Sequence, residues 1–328
     1  MVSQGVVYKD STLTNPVAEN VLTMAVAHGY SIMRARLWVN PSETQVYVSN
    51  LAYDEALGAQ IKAAGLKFYL DMHMSDTWAD AGEQVMPAAW AGITTQAALV
   101  QQVHDYTESV ITACAATNAM PDYVAVGNEI TDGMLYPATT GGPGGNITTN
   151  GWADFAALES AGIQGVDDGA ALAGQTVPKI IVHIDRGGDW ATTQWYFTNL
   201  NAQGVKYDII GESYYPQYHG LIANAQTCLP NAASTFGKPV YVAETGYPDE
   251  GGTPTADEAY PLTPAGQNTF LAALVALVQG IPNGQGMGIM YWEPEWLQSV
   301  GGYPAWPEPL FNPATGLSYP GLATLGGK

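Results

Sequence analysis

Short apolar runs rich in β-branched and aromatic residues recur along the chain, and the segments between them carry helical spacing. Seven runs read as strands: IMRARLWV (32–39), KFYLDMH (67–73), YVAVGNE (123–129), KIIVHID (179–185), YDIIGESYY (207–215), PVYVAETG (239–246) and GMGIMYWE (286–293). The gaps are long enough for crossover helices. Asn15 as N-cap, Pro16 in the first turn and Gly29 past the end bracket the first of these. Leu99, Val103, Tyr106, Val110 and Cys114 line one face of another. Strand and helix alternating throughout, with apolar residues on both strand faces, predict a parallel sheet covered by helices.

Polar residues gather at the C-terminal ends of these runs: Asp71 and His73, Asn128 and Glu129, His183 and Asp185, Ser213 to Tyr215, Glu244, then Trp292 and Glu293. In a (β/α)8 barrel the active site is assembled there from several strands, whereas a doubly wound sheet gathers its ligand groups at one switch point. No glycine-rich dinucleotide or phosphate fingerprint follows a strand; GGPGG (141–145) reads as loop. The expected fold class is therefore α/β, a (β/α)8 TIM barrel, with residues 1–328 as one catalytic domain.

Composition narrows the partners. Ten basic against 30 acidic residues leave a formal charge of −20, which repels nucleic acid and anionic membrane surfaces and favours a neutral or cationic ligand. No apolar run reaches the length of a membrane helix. Cys114 and Cys228 are too few for a disulfide framework and lack metal-ligand spacing. The opening MVSQGVVYKD lacks the basic-then-apolar form of a secretory leader. Asn146 to Thr148 forms a glycosylation sequon, usable only in a eukaryotic secretory pathway.

Glu129 and Glu244 each close an apolar run, where a charge is costly unless paired or used. One such residue fits a structural ion pair; two at the same ends of strands fit glycoside hydrolysis, which needs one carboxylic acid and one carboxylate. Arg34 and Arg36 share a strand face with Trp38 and fit either a structural salt bridge or the orientation of a catalytic carboxylate. His73 and His183 read first as satisfied histidines, since no clustered third ligand accompanies them. Tyr215 either supports a nucleophilic carboxylate or packs. Trp78, Trp292 and Trp296 lie at or beyond strand ends, where an aromatic face suits a sugar ring but also suits packing.

The segments RARLWVNP (34–41), YLDMHMSDTWAD (69–80), VGNEITDGMLYP (126–137), IIVHID (180–185), SYYP (213–216), VAETGYP (242–248) and YWEPEW (291–296) resemble, in order, the arabinogalactan endo-β-1,4-galactanases of glycoside hydrolase family 53. The resemblance runs from about Gln4 to the C-terminus. It implies a retaining, endo-acting hydrolase of β-1,4-galactan working by a two-glutamate double displacement. Glu129 would be the acid/base, Glu244 the nucleophile, Asn128 a ligand of the 2-hydroxyl and Tyr215 a support for Glu244. Arg34, Arg36, Asp71, His73, Trp78, His183, Trp292 and Trp296 complete the expected substrate-binding set. No cofactor is expected, and the partners are β-1,4-galactan and galacto-oligosaccharides, bound by a secreted monomer.

Two departures accompany the resemblance. The family begins with a strand of the type G-A-D-[IV]-S about ten residues ahead of the segment matched by SQGVVYKD, so the first barrel strand is expected to be missing and the N-terminus irregular. Bacterial members carry a calcium site in an Asp-, His- and Asn-rich loop after strand seven. The corresponding stretch 248–267 lacks that His and Asn, so no such site is expected, although Asp249, Glu250, Asp257 and Glu258 could hold a cation adventitiously. Two alternatives stay open: another retaining β-1,4-glycanase of the same clan, acting on mannan or glucan, and a non-catalytic carbohydrate-binding barrel.

Overall fold

A computed structural model describes residues 5–44, 46–250, 255–300 and 307–327. In chain order the elements are α1 (Val21–His28), β1 (Ile32–Leu37), α2 (Leu51–Ala63), β2 (Lys67–Met72), α3 (Gln96–Ala116), β3 (Tyr123–Val126), β4 (Gly133–Met134), β5 (Gly145–Asn146), α4 (Trp152–Leu172), β6 (Lys179–Ile184), α5 (Trp190–Ala202), β7 (Ile209–Ser213), α6 (Pro216–His219), α7 (Ile222–Phe236), β8 (Val240–Thr245), α8 (Pro264–Gln279), β9 (Gly286–Tyr291) and α9 (Pro320–Leu325). All seven expected strands are present, as β1, β2, β3, β6, β7, β8 and β9. The chain divides into two compact units. One comprises Ile32–Arg186 with Ala191–Glu212; the other comprises Met1–Ser31, Gly187–Trp190 and Ser213–Lys328.

In the first unit β1, β2, β3, β6 and β7 pair in that order, every pair parallel. Their residues are almost wholly buried from β2 onward, as a sheet covered on both faces requires. The expected face of α3 is the one that packs: Leu99, Val103, Val110 and Cys114 are buried, joined by Thr107 and Ile111. Each buried aliphatic side chain there contributes about 1.5–3 kcal/mol. Thr95 caps the helix by accepting the Ala98 N–H at 3.2 Å. α3 lies close to α4 because glycines face it: a Cβ at Gly165 would sit 2.5 Å from the His104 carbonyl oxygen and 3.0 Å from the Glu108 nitrogen. The antiparallel pair β4 and β5 adds a hairpin that alternation alone does not foretell.

In the second unit β8 and β9 pair in parallel, with register shifts between Val240 and Tyr241 and between Val242 and Thr245. The first helix begins later than its sequence suggests. Asn20, not Asn15, is the N-cap and accepts the Leu22 N–H at 2.8 Å, while Gly29 ends it in the left-handed region as expected. Tertiary pairing takes the intervening residues: Ala18 bridges Lys9 and the Glu19 N–H donates to the Tyr8 carbonyl at 2.9 Å. The N-terminal segment forms no strand among the described residues. Lys9 exchanges backbone hydrogen bonds with Gly316 and Ser318, at 2.8 and 2.9 Å, and the Tyr8 hydroxyl donates to the Glu295 carbonyl at 2.7 Å. Cys114 and Cys228 are both buried free thiols. No helix among the described residues is long and apolar enough to cross a membrane.

The glycine contact between α3 and α4 sets an expectation. Gly165→Val should lower stability by roughly 1–3 kcal/mol through overpacking against backbone atoms that cannot give, whereas Gly92→Ala, with nothing within 4 Å of its added carbon, should be neutral. Urea unfolding midpoints of the two variants check this.

Candidate active site

Glu129 does not end a strand. β3 stops at Val126, and Gly127 (φ 93°) and Glu129 (φ 48°) then turn the chain through the left-handed region. Gly127 is obligatory on two counts, since a Cβ there would also meet Ile130 Cγ2 at 2.6 Å. The turn hangs between two neighbouring strands: the Gly127 N–H donates to the Met72 carbonyl at 2.8 Å and the Ile130 N–H to the His183 carbonyl at 2.9 Å.

Asn128 is buried and held from three sides. Its side-chain oxygen accepts from Arg34 Nη2 at 2.9 Å, its amide donates to the Ala79 carbonyl at 2.7 Å, and its own carbonyl accepts from Gln84 Nε2 at 2.7 Å. Arg34 also gives Nε and Nη2 to Asp71 Oδ2, at 3.0 and 2.7 Å. The Tyr69 hydroxyl donates to the same oxygen at 3.1 Å, and His183 Nδ1 lies 3.4 Å from it. Burial pushes the Asp71 carboxyl up, but the Arg34 charge and the His183 contact outweigh it and hold the group well below the usual carboxylate range. Of the two readings open for Arg34, the salt bridge is present, and the same guanidinium also bonds Asn128, the residue beside Glu129. Arg36 differs: its guanidinium lies 4.8 Å from the Trp38 ring centre and 5.6 Å from that of Trp78, a cation–π arrangement. Trp78 also meets Trp38 and Tyr47 edge-on, at 5.1 and 4.9 Å.

His73 is buried, and desolvation lowers its pKa to about 3, which favours the neutral imidazole. Nδ1 accepts the Ala79 N–H at 3.1 Å, which assigns the ring proton to Nε2, a buried donor with no hydrogen-bond partner among the described residues. His183 is also buried, with a ring nitrogen within 4.8 Å of a Glu129 carboxylate oxygen. At the end of β6, Asp185 is bonded by the Thr131 hydroxyl and by Arg186 Nη1, the latter at 2.6 Å.

In the second unit Glu244 lies within β8 and is 6% exposed. The Tyr215 hydroxyl donates to its Oε2 at 3.1 Å. Tyr215 is itself fixed, because its N–H donates to His219 Nδ1 at 2.9 Å and it leads into α6, whose first residue is Pro216. The backbone alongside is laddered: the Tyr214 N–H donates to the Glu244 carbonyl at 2.9 Å and the Thr245 hydroxyl to the Tyr214 carbonyl at 2.7 Å. Trp292 is tied by its N–H to the Thr245 carbonyl at 2.8 Å, and the Trp296 indole N–H donates to the Gln298 carbonyl at 2.8 Å. Both tryptophans are half-buried.

Two residues outside the expected set stand out. Gln84 is a neutral amide in a loop, with no charge or periodicity to mark it. Glu308 lies in a proline-rich stretch, buried, accepting from Gln217 Nε2 at 2.8 Å. A Cβ at Gly246 would fall 1.8 Å from its Oε2 and 3.2 Å from Tyr215 Cε1, so this carboxyl packs against the end of β8. Burial raises its pKa to about 8, although the Gln217 bond lowers it. In the loop after β8, Asp249 and Glu258 are buried and Glu250 is exposed. Residues 251–254 lie outside the described residues, and with them part of the stretch expected to lack a calcium site.

Carboxylates at or just past the C-terminal ends of parallel strands, braced by buried donors, mark the class of (β/α)8 glycoside hydrolases. The glycosyl hydrolase family 53 model matches residues 2–318, and the chain belongs to that family. It is 37% identical to a probable arabinogalactan endo-β-1,4-galactanase A of Aspergillus terreus, over 90% of this chain and 83% of the relative. It is 34% identical to an arabinogalactan endo-β-1,4-galactanase of Thermothelomyces thermophilus, over 90% and 86%. Among solved structures, one reported in a study of two fungal β-1,4-galactanases matches with a TM-score of 0.84 and 32% identity, covering 99% of this chain and 95% of that one. The family 53 catalytic domain of Ignisphaera aggregans matches with a TM-score of 0.87 and 26% identity, covering 99% and 91%. The fold class is accordingly the (β/α)8 barrel, with seven parallel-paired strands among the described residues.

Glu308 yields a pH expectation. The folded chain keeps its proton up to about pH 8, while the unfolded chain releases it near the ordinary 4.5. Between those values the folded state binds more protons, so the group's contribution to stability is full below 4.5 and is lost as pH rises through 8. The Tm of Glu308→Gln minus that of the wild type should increase from pH 4.5 to 8 and then level off. A difference independent of pH would show that Glu308 is not the titrating acid.

Proposed function

We propose that the chain, acting as one catalytic domain, is a retaining endo-β-1,4-galactanase in which Glu129 and Glu244 carry out a double displacement. The observation that carries this reading is the family match across nearly the whole chain, with both glutamates lying on motifs of the family and both set among buried hydrogen bonds. In the first step a Glu244 oxygen attacks the anomeric carbon, and the bond to the leaving galactose oxygen breaks as Glu129 delivers its proton there. In the second, Glu129 takes a proton from water, which attacks the same carbon and frees Glu244. The Tyr215 hydroxyl holds the Glu244 carboxyl in place through its hydrogen bond to Oε2. Asn128, oriented by Arg34, is set to bind the 2-hydroxyl, where hydrogen bonds strengthen in the transition state.

The neutral imidazole of His73, with its unpartnered Nε2–H, suits a hydroxyl acceptor on the sugar. Asp71 and His183 keep this polar set in place, while the Arg36 guanidinium and the Trp78 ring form a cation–π pair in the same unit. Trp292 and Trp296 are the platforms expected in the other. A net charge of −20 favours an uncharged galactan branch over the polyanionic backbone of pectin. The enzyme is taken to be secreted, monomeric and independent of nucleic acid, membrane or cofactor.

Reducing-sugar release should be high on unbranched galactan and negligible on mannan and carboxymethylcellulose; the reverse order would make this another glycanase, and binding without turnover a carbohydrate-binding barrel. With an activated aryl galactoside and azide, Glu129→Ala should give the β-galactosyl azide and Glu244→Gly the α-azide. Swapped anomers would exchange the two roles. Trp296→Ala should lose a stacking contact of ~1–3 kcal/mol, seen as a lower kcat/KM on polymer at unchanged Tm. A lower Tm with unchanged kinetics would make Trp296 a packing residue.

A further inference from the structure

We propose that Gln84 is a positioning residue for acid/base catalysis, clamping the left-handed turn that carries Glu129; this rests on the assignment of Glu129 above. A residue with a side chain adopts φ near 48° only where its surroundings hold it there. The N–H groups of Gly127 and Ile130 are anchored to β2 and β6, and the carbonyls of Asn128 and Glu129 are bonded as well. Both face one nitrogen. Gln84 Nε2 lies 2.7 Å from the Asn128 oxygen, 3.4 Å from the Glu129 oxygen and 2.9 Å from the Asp80 oxygen.

Three carbonyls converging on one atom admit only a donor, which sets the orientation of the amide. The clamp is itself rigid. Gln84 is 2% exposed, its carbonyl accepts the Tyr136 N–H at 2.7 Å, and its neighbours are pinned by the Asp80–Glu83 and Val85–Tyr136 bridges. Removing the donor would leave the buried Asn128 carbonyl without its bond and let the turn relax, moving the Glu129 carboxyl away from the leaving oxygen.

The test uses Gln84→Ala and the similarly sized, unbranched Gln84→Met, neither of which carries a side-chain donor. Each is assayed on galactan and on a 2,4-dinitrophenyl β-galactobioside, whose leaving group departs without acid assistance. A displacement of about 1 Å costs about 100-fold, so kcat on galactan should fall by about that factor. First-turnover release of dinitrophenolate should stay near wild type, followed by a slow step that azide accelerates. A purely structural residue would instead lower Tm and depress both substrates equally without azide sensitivity, which overturns the proposal. Wild-type galactan hydrolysis by the folded variants overturns it too, as does failure of both variants to fold. Glu129→Ala, assayed alongside, separates the readings: if that variant hydrolyses galactan normally, the assignment of Glu129 fails whatever Gln84 does.

Discussion

A single buried oxygen, Asp71 Oδ2, organises the polar interior of the first unit. It accepts from Arg34 through two nitrogens and from the Tyr69 hydroxyl, and it lies beside His183 Nδ1. An isolated carboxylate at that depth would take up a proton; the guanidinium keeps it ionised, and the ionised oxygen in turn fixes the guanidinium. The same Arg34 Nη2 that serves Asp71 has a second N–H, which orients Asn128. Deleting either partner of such a pair leaves an uncompensated buried charge, at a cost of about 3–5 kcal/mol. The pair therefore stabilises one arrangement of several side chains more than it stabilises the chain as a whole.

The two glutamates are held by different means, and the difference suits their proposed chemistry. Glu244 sits inside a strand, its backbone laddered and its carboxylate bonded by the Tyr215 hydroxyl, which suits a nucleophile that must keep its position. Glu129 lies beyond its strand on a left-handed turn, half-buried, which frees the carboxyl from the ladder while the backbone is pinned from both sides. A group that must both give and take a proton is better served by that placement than by burial within the sheet.

An acidic chain also buries some of its acids, and burial disfavours their charged form. Glu159, Glu212 and Asp54 are pushed well above the usual carboxylate range by desolvation, as Glu308 is in the C-terminal segment. Glu212 shows why such a residue is tolerated: it accepts from the Thr193 hydroxyl at 2.9 Å and the Arg186 N–H at 3.1 Å, tying the start of α5 to β7. Burial thus opposes ionisation at several of the carboxyls that the formal charge counts.

The sequence by itself determined the strand–helix alternation, the apolar face of α3 and the placement of polar residues at strand ends, because periodicity and burial are local consequences of side-chain type. It also carried the family, through seven ordered motifs that include both glutamates. Tertiary structure alone decided the rest. Asn15 and Pro16 make a sound helix start, but the bridge from Lys9 to Ala18 keeps that segment extended and passes the cap to Asn20. Glu129 reads as the end of a strand, yet Gly127 and the Met72 and His183 carbonyls turn the chain before it. Gln84 and Glu308 bear no local mark at all, since an amide or carboxyl acquires its role only from the distant backbone and side chains that burial brings against it.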